Sequence, residues 1–312
     1  MKLCTKICLW TGGLLLAAGA VLFVCGIAAK NWDFDKLATV RYEQQEYVAQ
    51  SDVTDVVLNF DVSGIRIVQD KNTQKMTCSY PVAKDLVSGK SAQVTTSEED
   101  GVLTFTEKKL GFSLFRWDTD TPTLVLTVPE NTASLSVSTG VGDIELDGLT
   151  AEESIFLKTD VGKIVCKNVT AEKIELHSGV GDITAENCSA NGTLTIDGDV
   201  CNVQMKDLDG GKISVNTNLG DISLLGSLSA AQAEMTADTG SIDLSKGTTD
   251  AQSLALSTAL GDISAFLTGM RADYAAEVTW DVGESNLYPS ESGTRTLKVS
   301  TSCGSIHVSF AA

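Results

Sequence analysis

Acidic residues recur directly after glycine in the second half of the chain, and carboxylates that share a register can bind divalent cations. Five acids do so: Asp143, Asp182, Asp221, Asp262 and Glu284. Carboxylate oxygens suit Ca²⁺, so the four aspartates are candidates for a weak cation-binding edge. Aspartate also favours tight corners, because its side chain bonds nearby backbone amides. The Gly-Gly-x-Gly-x-Asp pattern of calcium-binding repeats is absent, which favours the corner role and predicts no high-affinity metal site.

Residue types that support catalysis are sparse. The chain has two histidines, His177 and His307, and no serine or cysteine nucleophile motif accompanies either. Within the repeats described below the only arginines are Arg271 and Arg295, both in connecting segments. No Cys-x-x-Cys spacing indicates zinc. The sequence therefore predicts no catalytic residue, no cofactor and no enzymatic activity.

A repeat positions the acidic residues. Short glycine-containing motifs, typified by Gly-Asp-Ile, recur every 19 to 22 residues. Their anchor positions are 142, 162, 181, 201, 220, 240, 261, 283 and 304. Apolar residues stand seven and five positions before most anchors and two and four positions after them, as at Ile222 and Leu224. This alternation is typical of half-buried strands. The change of parity at the anchor requires a corner or bulge, which glycine permits.

Stacked copies of such a unit can bury a face that one copy cannot. The repeat therefore predicts an all-β protein, a single-stranded, β-helix-like β-solenoid of about nine 20-residue coils over residues 131–312. Residues 51–130 contain less regular strands and are predicted to form a strand-rich N-terminal cap. A β-sandwich also suits evenly spaced short strands and remains the alternative.

Cysteines and hydroxyl residues also follow the repeat. Eight cysteines are present, of which Cys4, Cys8 and Cys25 lie in an apolar N-terminal segment. Five remain, an odd number that does not indicate a closed disulfide framework. Cys166 and Cys188 share register positions with leucines, which predicts small core residues. Hydroxyl residues three positions before six anchors predict a stacked hydroxyl ladder: Thr139, Thr159, Ser178, Thr217, Thr258 and Thr301.

The charge of the chain excludes one class of partner. There are 23 Lys+Arg against 41 Asp+Glu, giving a formal net charge of −18. A surface this acidic repels phosphate backbones, so the sequence predicts no nucleic-acid partner.

An uncharged segment near the N-terminus predicts a membrane anchor. Residues 8–29 contain no charged side chain, and at about 1.5 Å per residue a helix of this length crosses the roughly 30 Å hydrocarbon layer. Lys2 and Lys6 precede it, whereas Asp33 and Asp35 follow. The positive-inside rule then predicts a single-pass protein of the cell membrane with a cytoplasmic N-terminus and an extracytoplasmic ectodomain. Residues 1–30 would form the cytoplasmic tip and anchor, and residues 31–50 a juxtamembrane stalk.

The start of the repeat resembles that of the bacterial "putative adhesin" domain family. The resemblance lies in residues 124–129 followed by residues 135–144, which end in Gly142-Asp143-Ile144. The resemblance covers about residues 55–310. It implies a membrane-anchored envelope protein with no established enzymatic activity, linked to adhesion or to envelope-stress responses. The resemblance assigns no functional role to any residue of this chain.

We therefore expect a non-catalytic binding or structural element of the bacterial cell envelope. It would be held in the membrane by residues 8–29, with an envelope protein or a cell-wall polymer as its partner. Two alternatives remain, a carbohydrate-active β-helix enzyme and a sensory partner of an envelope-stress signalling system.

Overall fold

The computed structural model describes residues 3–29, 39–86, 89–108 and 122–311. They belong to two compact units. Of the described residues, the first contains 3–29, 39–43, 82–86 and 89–92, and the second contains 44–81, 93–108 and 122–311. Residues 31–38 of the predicted stalk lie outside the described residues.

The first unit contains a helix and a small β arrangement. Helix α1 spans Leu3–Ala29 and includes all of the segment predicted as the anchor. Among the described residues, no helix combines the length and the apolar character that a membrane crossing requires. In the same unit the Ala92 amide donates to the Ala83 carbonyl at 2.7 Å, and Lys84 Nζ lies 3.3 Å from Glu43 Oε1.

Strands make up most of the remaining described chain, as expected from its abundant Val, Ile and Thr. Their bounds are β1 Val40–Val48, β2 Asp55–Val62, β3 Gly64–Gln69, β4 Thr77–Asp85, β5 Gln93–Glu99, β6 Val102–Lys108, β7 Thr123–Val128, β8 Ser134–Val141, β9 Ile144–Thr150, β10 Ser154–Val161, β11 Ile164–Val180, β12 Ile183–Val200, β13 Val203–Leu219, β14 Ile222–Leu224, β15 Ser227–Thr239, β16 Ile242–Leu260, β17 Ile263–Leu267, β18 Tyr274–Val282, β19 Arg295–Cys303 and β20 Ile306–Phe310. A short 3-10 turn spans Arg271–Asp273.

Equivalent residues of successive repeats lie over one another. Strand β10 pairs in parallel with β8 on one side and with β11 on the other, so that Ile155 lies between Leu135 and Ile174. The same pairing continues through β17, with neighbouring strands about 4.8 Å apart. Parallel, in-register stacking defines a β-solenoid of about eight turns and excludes the alternative β-sandwich.

The last two repeats stack in the reverse of their chain order. Strand β16 pairs with β19, and β18 lies on the far side of β19. The coil predicted at the eighth anchor, Gly283, is incomplete, because this anchor is followed only by an isolated bridge from Ser285 to Ile306. Polar Ser285 occupies the position at which other repeats bury an apolar residue, so eight of the nine coils predicted over residues 131–312 are complete.

The first turns show the same reversal. Strands β2 and β3 pair in parallel with β8 and β9, whereas β6 and β7 lie on the outer side of β2 and β3. Strands β5 and β6 form an antiparallel hairpin. The segment 51–130 therefore contributes two parallel layers to the stack, in inverted chain order.

Two kinds of corner change which alternate positions of the chain face the core. At the anchor corner Gly142 has a φ of 153°, and a Cβ there would lie 2.1 Å from the Ser63 carbonyl oxygen, so only glycine fits. At the second corner Asn168, Asn187 and Asp207 adopt φ values of 52–53°, a left-handed conformation that Asn and Asp tolerate. Each corner turns the next strand so that its apolar side chains again face the core.

Candidate functional site

The predicted acidic edge forms one column along the solenoid, directly after the anchor corner. In stacking order the column contains Asp143, Lys163, Asp182, Asn202, Asp221, Ser241, Asp262, Ser305 and Glu284. Acidic and non-acidic residues alternate without exception. The reversal of the last two repeats preserves this alternation, because Ser305 separates Asp262 from Glu284.

Hydrogen bonds between turns explain the column. Asp143 Oδ1 accepts the Lys163 amide at 2.7 Å, Asp221 Oδ1 accepts the Ser241 amide at 2.8 Å, and Asp262 Oδ1 accepts the Ser305 amide at 2.7 Å. These are corner bonds of the kind expected of aspartate.

The spacing of the column separates the candidate cation ligands. Asp143, Asp182, Asp221 and Asp262 stand two turns apart, about 10 Å, whereas oxygens sharing one Ca²⁺ each lie about 2.3–2.6 Å from it. Within the described ranges, no cluster of three or more histidines, cysteines or acids could hold a metal ion.

The hydroxyl column bonds to backbone rather than to itself. Thr159 Oγ1 donates to the Gly142 carbonyl at 2.9 Å, and Thr258 Oγ1 donates to the Gly240 carbonyl at 2.8 Å. Each hydroxyl thus ties its strand to the corner of the neighbouring turn. The predicted stacked ladder is confirmed, since Thr139, Thr159 and Ser178 are in register on successive strands, and its hydroxyls donate to the buried corner carbonyls.

In one turn the anchor position and the hydroxyl position have exchanged residue types. Cys201 replaces the anchor glycine, and Gly198 stands where six of the other turns have threonine or serine. The buried Cys201 side chain fills that place, since a Cβ on Gly198 would lie 1.8 Å from Cys201 Sγ.

The predicted core cysteines are buried. Cys166 and Cys188 have sulfurs 3.8 Å apart, and both are free thiols. The hydrogen bond from Cys188, together with burial, raises the pKa of the Cys166 thiol well above its usual value. A thiol that is neutral and enclosed in this way is structural rather than nucleophilic.

A groove lies on the outer face of β10 to β13, and we call it the polar groove. It has a volume of about 600 Å³ and is lined by Phe156, Lys158, Thr159, Asp160, His177, Ser178, Gly179, Asp197, Gly198, Asp199, Asn216 and Asn218. Gly179 lies in this lining and contributes no side chain to it. The Phe156 and His177 rings pack on one another, with centroids 5.3 Å apart.

Hydrogen bonds across turns fix the polar side chains of this groove. His177 Nδ1 lies 3.3 Å from Asp197 Oδ2, and Asn216 donates to Asp197 Oδ1 at 2.8 Å. Asn218 donates to Asp199 Oδ1 at 3.0 Å. The neighbouring Ser178 hydroxyl points into the core and donates to backbone carbonyls, so this histidine and aspartate do not activate it. The arrangement is a rigid surface that can hydrogen-bond a ligand.

A second outward feature lies one position before the anchor. Aliphatic side chains there are about half exposed in seven turns. We call this column the aliphatic ridge, formed by Val141, Val161, Val180, Val200, Leu219, Leu260 and Val282.

Sequence reasoning missed both outward features. It considered His177 only as a catalytic candidate and did not connect it with Phe156 and Asp197, which stand on adjacent turns. The aligned anchors already contain the signal for the ridge, because the residue before them is repeatedly valine or leucine. The repeat was aligned on its inward positions alone, because burial restricts the residue types at those positions.

This parallel β-solenoid, with glycine corners and hydrogen-bonded corner columns, defines the class of the protein. Residues 53–309 match the Toastrack DUF4097 family, and the chain belongs to that family. The resemblance to a bacterial "putative adhesin" domain family is confirmed. The chain matches no curated protein.

Several solved structures are similar to this chain. A putative adhesin from Bacteroides fragilis is 16% identical, with 86% of this chain and 97% of that chain covered and a TM-score of 0.47. A putative lipid binding protein from Parabacteroides distasonis is 14% identical, with 86% and 95% covered and a TM-score of 0.40. A putative adhesin from Parabacteroides merdae is 12% identical, with 87% and 97% covered and a TM-score of 0.32.

Proposed function

We propose that this protein is a non-catalytic binding element of the bacterial cell envelope that holds a cell-wall glycan in the polar groove. The observation that carries the proposal is the combination of the Phe156 ring with a row of fixed Asp, Asn and His side chains on successive turns.

The chemistry of the groove suits a sugar chain. Each sugar hydroxyl both donates and accepts, and the groove offers carboxylate acceptors at Asp197 and Asp199 and amide donors and acceptors at Asn216 and Asn218. The flat ring of Phe156 can pack against the apolar face of a sugar ring. Because strands hold these groups, little ordering entropy is lost when a ligand binds.

The charge of the groove limits the class of glycan that it can bind. Lys158 is its one cation, and Nζ lies 3.7 Å from Asp160 Oδ1. Asp197 and Asp199 add further carboxylates that no lysine or arginine of the lining offsets. A polyanionic polymer would be repelled, so an uncharged or weakly charged glycan backbone is the expected ligand.

The location is proposed from the sequence. The uncharged segment 8–29, with lysines before it and aspartates after it, would anchor the chain in the cell membrane with residues after about 30 outside. A groove on that side would face the wall. Protease added to intact protoplasts should then remove the ectodomain, and a reporter fused after residue 312 should be active only outside; a protected ectodomain would refute this topology.

Binding can be tested by co-sedimentation of the detergent-solubilised full chain with purified, teichoic-acid-free peptidoglycan. Phe156→Ala should weaken binding about tenfold. Tyr288→Ala, which removes an exposed aromatic side chain outside the groove, should bind like the wild type. Failure of the wild type to sediment, or equal binding by Phe156→Ala, would contradict the proposal.

The same incubation tests the enzymatic alternative. A non-catalytic protein releases no new reducing ends or muropeptides from the glycan over many hours. If the wild type releases them and Asp197→Asn does not, the groove is an active site and the carbohydrate-active alternative is correct.

A further inference from the structure

The aliphatic ridge is an outward row that the fold does not require, unbroken from Val141 to Leu219 and interrupted by Thr239 and Cys303 farther along the stack. Its seven side chains are 46–62% exposed. Single exposed aliphatic residues are common on protein surfaces and need no explanation. A row that is contiguous and in register over the five turns from Val141 to Leu219 is different, because such patches mark interaction sites.

Acidic columns border the ridge on both sides. Two positions before the anchor stand the exposed Asp160, Asp199, Asp238 and Asp281. One position after it stand the exposed acids of the corner column, Asp143, Asp182, Asp221, Asp262 and Glu284. In these two columns of the described solenoid the only basic residue is Lys163. The ridge is therefore an apolar row between two acidic rows.

We propose that the aliphatic ridge docks an amphipathic α-helix of a partner protein, with its apolar stripe on the ridge and lysines or arginines on both flanks of the stripe. Charge complementarity selects this partner, since basic flanks would meet the acidic columns. A second copy of the chain would bring acidic columns together, and a membrane rich in anionic lipid would be repelled.

The spacing of the ridge favours a helix over an extended peptide. Ridge residues repeat about every 4.8 Å, whereas a helix presents its stripe about every 5.4 Å per turn. Over the four steps from Val141 to Leu219 the mismatch reaches only about 2.4 Å, and a helix of about 13 residues covers them. An extended peptide repeats its same-face side chains about every 6.6 Å and loses register after one or two steps.

This inference does not depend on glycan binding, because the ridge and the core of the groove are different residues. The ridge variant tested below leaves Phe156, His177 and Asp197 unchanged. Loss of helix docking and loss of peptidoglycan binding can therefore be scored separately on the same protein.

The test uses three synthetic 18-residue helical peptides and the full chain in detergent micelles. The first peptide has a leucine stripe flanked by lysines, the second has the same stripe flanked by glutamates, and the third has the composition of the first without a stripe. The proposal expects binding of the first peptide only, weakening as salt rises.

The matched variants are Val161→Thr/Val180→Thr/Val200→Thr on the ridge and Val68→Thr/Val125→Thr at exposed valines elsewhere. Threonine keeps the β-branched shape and already occupies the ridge position at Thr239, so both proteins should melt like the wild type. The ridge variant should bind the lysine peptide about tenfold more weakly, about 1.4 kcal/mol, and the control should be unchanged.

Five outcomes would overturn the proposal. The first four are unchanged binding by the ridge variant, equal binding of the glutamate-flanked peptide, equal binding of the stripeless peptide, and self-association of the wild type that the ridge variant abolishes. The fourth would identify the ridge as an interface between copies. Binding of the wild type, but not of the ridge variant, to phosphatidylglycerol vesicles would instead identify a lipid surface.

Discussion

The exchange of Gly198 and Cys201 allows a sharp test of how one turn is packed. In the other turns glycine occupies the anchor, and threonine or serine stands three positions earlier in all but two of them, which have Ala237 and Trp280. Gly198→Thr alone inserts a Cβ 1.8 Å from the buried Cys201 sulfur. Overpacking of this kind costs about 1–3 kcal/mol.

Cys201→Gly alone is also destabilising. It removes a side chain that is 3% exposed, which costs about 1–2 kcal/mol of buried surface and cavity. In the double variant the threonine occupies the space left by the sulfur, and its hydroxyl can reach the Gly181 carbonyl. That hydrogen bond contributes about 1 kcal/mol. We expect the double variant to be more stable than either single variant, with a coupling free energy of about 2–3 kcal/mol.

Urea unfolding followed by circular dichroism measures the four proteins of this cycle. The slope of the transition must stay constant for the comparison to be valid. A coupling free energy near zero, or a Gly198→Thr variant as stable as the wild type, would show that the two positions do not share one space. The described packing of this corner would then be incorrect.

Three further predictions concern the core, the acidic column and acid stability. Ile222→Asp places an unpaired charge in a fully buried site and should lower the free energy of unfolding by several kcal/mol; an unchanged melting temperature would contradict the repeat alignment. The second variant converts the four column aspartates Asp143, Asp182, Asp221 and Asp262 to asparagine. Asparagine keeps a side-chain oxygen that can accept the corner hydrogen bonds, so the melting temperature should match or slightly exceed that of the wild type at low salt. Sub-millimolar calcium should shift the melting temperature of neither protein. Burial raises the pKa of Glu98, but hydrogen bonds from Ser51, the Gln50 amide and Tyr47 outweigh it and lower the pKa to about 2. Because this pKa is below the unfolded value of about 4.3, Glu98 stabilises the fold above about pH 5 and stops doing so as the pH falls to about 2. In Glu98→Gln the free energy of unfolding measured in urea should therefore depend less on pH across that range. An unchanged pH profile would refute the assignment.

Local periodicity made the solenoid predictable from the sequence. Burial constrains the inward positions, so alternation at Ile222 and Leu224 and the glycine corners were sufficient to assign strands and turns. The reversed order of the end turns was not predictable in this way. Ser285 after Gly283 departs from the apolar pattern that Ile306 keeps after Gly304, but the stacking order of these two repeats is decided only by pairing with distant strands.

Outward positions carried less information for the candidate site. Solvent tolerates many side chains, so no periodic rule marks Phe156, His177 and Asp197 as neighbours until the register is known. The corner aspartates were identified because they follow glycine. Their hydrogen bonds to the next turn could not be predicted without the stacking order.

The reversed stacking at the C-terminal end has a consequence for biosynthesis. Strand β18 pairs with β19, and β16 and β17 present an open edge until β19 and β20 cover it. The ribosome releases β18 before either partner exists. A nascent chain that stops before residue 295 therefore leaves an unpaired parallel edge and an orphan strand, both of which are aggregation-prone and open to proteases.

The middle layer of this end is thus the last to be made. Its insertion joins turns that were synthesised earlier, so the solenoid closes only around a chain translated through residue 310. A chain that ends before residue 295 therefore exposes the edge of β16 that β19 covers in the full stack.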